Sequence, residues 1–149
     1  KEKVSRYAAN LFQDVKIDSD GDLVISYEST IMFVRVIERD LDQKGLDFYN
    51  KFSLSTTVIR VWAVALVELK PSAELFKWVA TEGQEFFYGA FYLNESKDGT
   101  YELVFQLNLP GDELDQGELN SALISIANGA DDLDEELQKR FGGKRIADL

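Results

Sequence analysis

The chain has 149 residues, 45% of them hydrophobic and 12% aromatic, enough apolar mass for one compact domain over residues 1–149 and too little for two ordinary ones. Against 27 Asp and Glu there are only 16 Lys and Arg, a net charge of -11, so a phosphate backbone or an anionic membrane surface is repelled over most of the molecule. No His and no Cys is present, which removes the imidazole base, the thiol nucleophile, the disulfide and the Cys/His metal site and leaves carboxylate, Lys, Tyr and hydroxyl chemistry.

Val4, Tyr7, Ala8, Leu11 and Val15 recur at three- and four-residue steps and predict an amphipathic first helix. Asp18 to Asp22, DSDGD, is turn chemistry. Leu23, Ile25 and Tyr27 then alternate with smaller or polar residues, and after Glu28-Ser29 the run Ile31 to Ile37 reads as the second arm of a hairpin. Asp40 to Asn50 is mixed, carries Gly45 and reads as a loop or short helical turn. The β-branched and apolar run Thr56 to Leu69 is the strongest strand signal and predicts a central strand.

Pro71 and Ser72 open a second helix, with Glu74 near its positive end and Leu75, Phe76 and Val79 as its apolar stripe; Gly83 stops it. Phe86 to Leu93 and Tyr101 to Leu107 form a second hairpin around Asp98-Gly99. After the breaker-rich LPGDELDQG, the positions Leu119, Ala122, Leu123, Ile126, Ala130, Leu133, Leu137 and Phe141 hold helical spacing for six turns. Gly129 weakens the middle of that helix by about 1 kcal/mol relative to Ala, and Gly142-Gly143 end it. The order α-β-β-β-α-β-β-α, without repeats or linkers, predicts a two-layer α+β domain with helices packed on an antiparallel sheet.

No apolar run reaches the roughly 18 to 20 residues of a membrane helix, and KEKVSRYAANLF lacks the apolar core of a signal peptide. Together with the absence of Cys, this makes a cytoplasmic location the expectation.

DSDGD places Asp18, Asp20 and Asp22 at positions one, three and five of a calcium loop. The fit then fails, because Leu23 stands where the sharp turn needs Gly and Ser29 where the bidentate Glu belongs. The acidic clusters GDELDQGEL and ADDLDEEL contain enough carboxylates for acid/base work or a Mg²⁺ site. Asp131, Asp132, Asp134, Glu135 and Glu136 nevertheless fall mostly off the apolar stripe and read as a solvated helix face. Nucleotide-binding glycine loops and the GxSxG elbow are missing. No catalytic, metal or cofactor residue is assigned.

Dividing the strands by their two-residue period is more informative. Ile59, Val61, Ala63, Ala65, Val67 and Leu69 make one wholly apolar face, joined by Leu23, Ile25, Tyr27, Phe87, Phe91, Leu103, Phe105 and Leu107, and this face is expected under the first and last helices. The opposite face carries Ser26, Phe33, Arg35, Arg60, Trp62, Tyr88, Tyr92 and Gln106. Trp, Tyr, Phe and Arg with little Lys is the composition of protein interfaces, so Arg35, Arg60, Trp62, Tyr88, Tyr92 and Gln106 are the candidate interaction or dimer residues. An equally simple alternative is that the second helix or the Asp40 to Asn50 segment covers this face as ordinary core, with the Arg heads reaching water.

The phrases DSDGDLVISYEST, TTVIRVWAVALVEL, PSAELFKWVA, YGAFYLN and ELNSALISIANGADDLDEELQKRFGG resemble actinobacterial YbjN-like proteins. These belong to the TY-Chap group of domains similar to type III secretion chaperones. The resemblance runs from about Asp18 to Gly143 and is most specific in the last helix, with the Asp40 to Asn50 segment standing as an insertion. It implies a compact α+β fold, a homodimer, and a chaperone-like or regulatory role through binding a client protein. The expectation is therefore a non-enzymatic, homodimeric protein-binding module. The alternative is a small-molecule-sensing regulatory domain with a pocket between sheet and helices, and an enzyme built on converging carboxylates stands third.

Overall fold

The computed structural model describes all 149 residues. Strands β1 (Val15–Ile17), β2 (Leu23–Tyr27), β3 (Thr30–Glu38), β4 (Thr57–Leu69), β5 (Ala90–Glu95), β6 (Tyr101–Pro110) and β7 (Lys144–Arg145) form one antiparallel sheet in the order β1-β2-β3-β4-β6-β5, with β7 pairing β4. Helices α1 (Glu2–Leu11), α3 (Ala73–Ala80) and α4 (Gln116–Phe141) supply the second layer, and α2 (Gln43–Lys51) follows β3. The α+β class and the antiparallel sheet are as expected from the sequence.

Several local readings change. The first helix stops at Leu11 because Phe12 is already extended, at φ -121° and ψ 143°. Val15 therefore starts β1, opposite Ile25, instead of extending the helical stripe. Asp40 to Asn50 holds a full helix, α2, whose N-cap Asp42 accepts the Gly45 N–H; the cap outweighs the glycine's poor propensity. In α3 the N-cap is Ser72, which accepts the Leu75 N–H, and Leu75 and Trp78 are buried. Phe76 stays exposed and packs edge-on against Tyr101.

One cluster of 27 buried side chains lies between the sheet and α1, α3 and α4. The expected apolar face holds through Ile59, Val61, Ala63 and Ala65 in β4, together with Leu23, Ile25, Phe91, Leu103, Phe105 and Leu107. Beyond Ala65 the register to β6 shifts and Glu68 adopts φ 56°. This bulge turns Leu66 inward, so Val67 lies only partly buried. The expected strand from Phe86 begins at Ala90 instead. Phe86 turns into the core against Phe91 and Phe105, whereas Phe87, expected on the apolar face, is fully exposed. The break is enforced by Gly89, at φ 82°, where a Cβ would sit 2.8 Å from the Gln106 carbonyl oxygen.

Helix α4 starts with a capping box between Asp115 and Glu118. Its buried side includes one acid read from the sequence as solvated, Asp134, which is 8% exposed. Burial pushes that carboxyl up, and Arg145 opposes the shift from 3.9 Å.

Asp112 joins the loop after β6 to the start of β4. Its carboxylate accepts the Thr56 N–H at 2.9 Å and the Thr57 N–H at 3.1 Å, and these bonds hold its pKa below the usual carboxylate value. A depressed folded pKa stabilises the fold above the unfolded value, and the contribution fades as pH falls through the folded value. Asp112→Asn is therefore expected to flatten the loss of stability below about pH 4, read as urea midpoints against pH. Parallel curves for the two proteins would show that the carboxylate's charge contributes nothing.

Candidate functional site

α1, α3 and α4 all lie on one side of the sheet, and the other side is open. There the register aligns Phe33, Trp62 and Gln106 in one cross-strand row and Arg35, Arg60 and Asn108 in the next. Phe33 and Trp62 stack with centroids 5.3 Å apart and planes 16° from parallel. The Arg35 guanidinium lies 5.5 Å from the Trp62 ring. On its other side it grips Asp22, with Nε 2.8 Å from Oδ1. The Arg60 Nε–H donates to Asn108 Oδ1 at 3.0 Å, and Arg60 has no ion-pair partner. Tyr92 stands on β5 opposite Val104; desolvation, the largest cause, pushes its phenol up.

Five of the six expected residues, Arg35, Arg60, Trp62, Tyr92 and Gln106, thus share the open face. Tyr88 does not join them. It precedes Gly89 in the bend before β5 and lines a hollow with Leu109, Ser121 and Ala122 on the α4 side, because the Gly89 turn breaks strand alternation. α3 lies on the other side of the sheet, and the Asp40 to Asn50 segment reaches the open face only at its Val58 and Asn108 end, where Tyr49 shares a hollow with them away from Trp62. α2 buries none of its residues, and it leaves Phe48 and Phe52 exposed with their rings 4.9 Å apart.

A second site lies where the alternative reading put a pocket, between a helix and the sheet, although the sequence named none of its residues. Between α1 and the sheet lies a cavity of about 420 Å³ floored by Leu23, Val34 and Val36, walled by Ala9, Ile17 and Gly21, with Lys1, Glu2 and Arg6 at its mouth. The usable signal was in α1, where Ser5 and Ala9, one turn apart beside the buried Val4 and Ala8, are too small to fill the space.

The floor is also a sheet edge. β2 ends its pairing with β3 at Leu23 opposite Val34, while β3 runs on to Glu38 against β4. The Arg39 N–H donates to the Thr56 carbonyl at 2.9 Å, so odd-numbered residues of this stretch direct their main-chain groups to β4. Val36 and Glu38 consequently direct theirs outward, where no strand pairs with them.

The model of the family described as T3SS (YopN, CesT) and YbjN peptide-binding chaperone 1 matches residues 1–149. Among solved structures, the chain is similar to the Yersinia pestis type III secretion chaperone SycH, crystallised in complex with a stable fragment of YscM2. The identity is 14%, the TM-score 0.49, and the match covers 89% of this chain and 97% of that one. No curated protein sequence matches the chain. No helix is long and apolar enough to cross a membrane. With the family model matched from the first residue to the last, the chain belongs to the TY-Chap1 family of peptide-binding chaperones.

Proposed function

We propose that this protein is a non-enzymatic, cytoplasmic, homodimeric carrier that holds an extended segment of a client protein in the α1 cavity and self-associates through the open sheet face. What carries the reading is the incompletely covered sheet: one face bears Trp62, Phe33, Arg35 and Arg60 without a covering helix, and one edge, at Val36, opens onto an apolar cavity. A strand laid along that edge finds unpaired main-chain groups, and its alternate side chains point into the cavity, which is recognition by strand addition. These main-chain groups favour a peptide over a compact metabolite in the same space. Aromatic and Arg side chains are the usual anchors of protein interfaces, and the surplus of carboxylates elsewhere keeps a carrier of apolar segments soluble.

The test uses sedimentation equilibrium at micromolar concentration, together with anisotropy of a labelled octapeptide alternating Leu and Ser with Asp at both ends. A dimer that binds the peptide is expected. Ala9→Trp, which fills the cavity from an exposed position of α1, is expected to weaken peptide binding by roughly tenfold or more, about 1.4 kcal/mol, and to leave the dimer intact. A monomer, or peptide binding indifferent to Ala9→Trp, overturns the respective half of the reading.

A further inference from the structure

Val34, Arg35 and Val36 are consecutive in β3, and alternation sends them to opposite sides of the sheet. Val34 and Val36 floor the cavity, and Arg35 emerges on the open face against Trp62. Between the two sites runs one connected set of contacts. The Arg35 guanidinium meets both Asp22 oxygens, Nε at 2.8 and 3.0 Å and the terminal nitrogen at 2.5 Å. The Asp22 side chain is 5% exposed, whereas that of Arg35 is 45% exposed. Asp22 follows Gly21, which walls the cavity, and its N–H donates to Asp18 Oδ1 at 3.0 Å.

This makes the Asp18–Asp22 turn and Arg35 a single mechanical unit. A two-point charge-assisted contact fixes orientation as well as distance, and releasing it would leave a buried carboxylate without its counter-charge, which is strongly unfavourable. A displacement of the cavity wall at Gly21 therefore carries Arg35 with it, and Arg35 cannot shift without changing what Trp62 presents. Conversely, a segment in the cavity that braces the turn holds Arg35 beside the Trp62 ring in the arrangement a partner face meets.

We infer that Asp22 and Arg35 are a positioning pair that couples the cavity to the open sheet face, so that a peptide seated under α1 strengthens self-association. The inference rests on the carrier reading above. Coupling of binding free energies is reciprocal, so the dimer binds the peptide more tightly than the monomer by the same factor.

The experiment measures the dimer dissociation constant with and without saturating Leu/Ser octapeptide, and follows the Trp62 indole N–H resonance during the titration. For the native chain the expected result is about a fivefold or greater tightening of the dimer, with the Trp62 resonance moving although the peptide lies on the other side of the sheet. In the double variant Asp22→Asn/Arg35→Gln, which removes both charges together, the dimer weakens because Arg35 belongs to the open face, and its dissociation constant no longer responds to the peptide, which still binds. Arg35→Lys, which keeps the charge and gives up the two-point geometry, restores part of the coupling. If peptide binds and the dimer forms but the two constants are independent in the native chain, or equally linked in the double variant, the coupling is wrong and the carrier reading survives. If peptide binding or the dimer is missing, both fall.

Discussion

Replacing Gly129 by Ala is expected to destabilise the fold by about 1–2 kcal/mol, although the same change in an isolated helix would stabilise it by about 1 kcal/mol. α4 crosses the sheet so closely at this point that a Cβ would lie 2.3 Å from Phe105 Cε1 and 2.9 Å from Cδ1. The ring cannot retreat. It is 1% exposed and stacks on Phe91 at 4.5 Å with planes 16° apart, while Phe86 closes in at 5.1 Å. Urea unfolding of the native chain, Gly129→Ala, Phe105→Leu and the double variant completes a mutant cycle. The two changes should be less damaging together than the sum of their separate effects, because Leu vacates the space the new methyl needs. An Ala variant as stable as the native chain would mean that α4 does not rest on Phe105.

The largest effect on assembly is expected from Trp62→Ala. A central aromatic anchor commonly contributes about 2 kcal/mol or more to an interface, equivalent to roughly a thirtyfold weaker dimer. Trp62 has that position on the open face, stacked on Phe33 and capped by Arg35. It lies outside the buried core, so the variant is expected to fold. Sedimentation equilibrium of Trp62→Ala beside Tyr88→Ala separates the faces: Tyr88 sits on the α4 side of the Gly89 turn, and its loss is expected to leave the dimer constant unchanged. Loss of the dimer in the Tyr88 variant with retention in the Trp62 variant would move the interface to the other side of the molecule.

How much of this was legible depends on the range of the interactions involved. Periodicity in Thr57 to Leu69 and in Gln116 to Phe141 is long and local, so both elements and most of their buried residues could be read directly. Arg35, Arg60, Trp62, Tyr92 and Gln106 could be placed on one face because strand alternation alone puts them there. Tyr88 and Phe87 could not, since alternation ends at Gly89, whose conformation is set by its close approach to Gln106. Three-residue β1 and two-residue β7 carry too few residues for any pattern, and each exists only through a partner strand. The helix α2 was obscured by Gly45, although Asp42 was already in place to cap it.

The amino-acid sequence by itself determined the α+β class, the central strand, the long last helix and an excess of carboxylates without His or Cys, because these depend on composition and on repeats of two or 3.6 residues. Only the tertiary structure decided that no helix covers Trp62, that β2 ends before β3 and leaves the outward edge of Val36 unpaired beside a cavity, and that Asp22 meets Arg35. Each of those depends on where two elements distant in the chain stop relative to one another. Glycine at 129 is the clearest case: its cost within the helix is local, while its necessity comes from a phenylalanine 24 residues away on another strand.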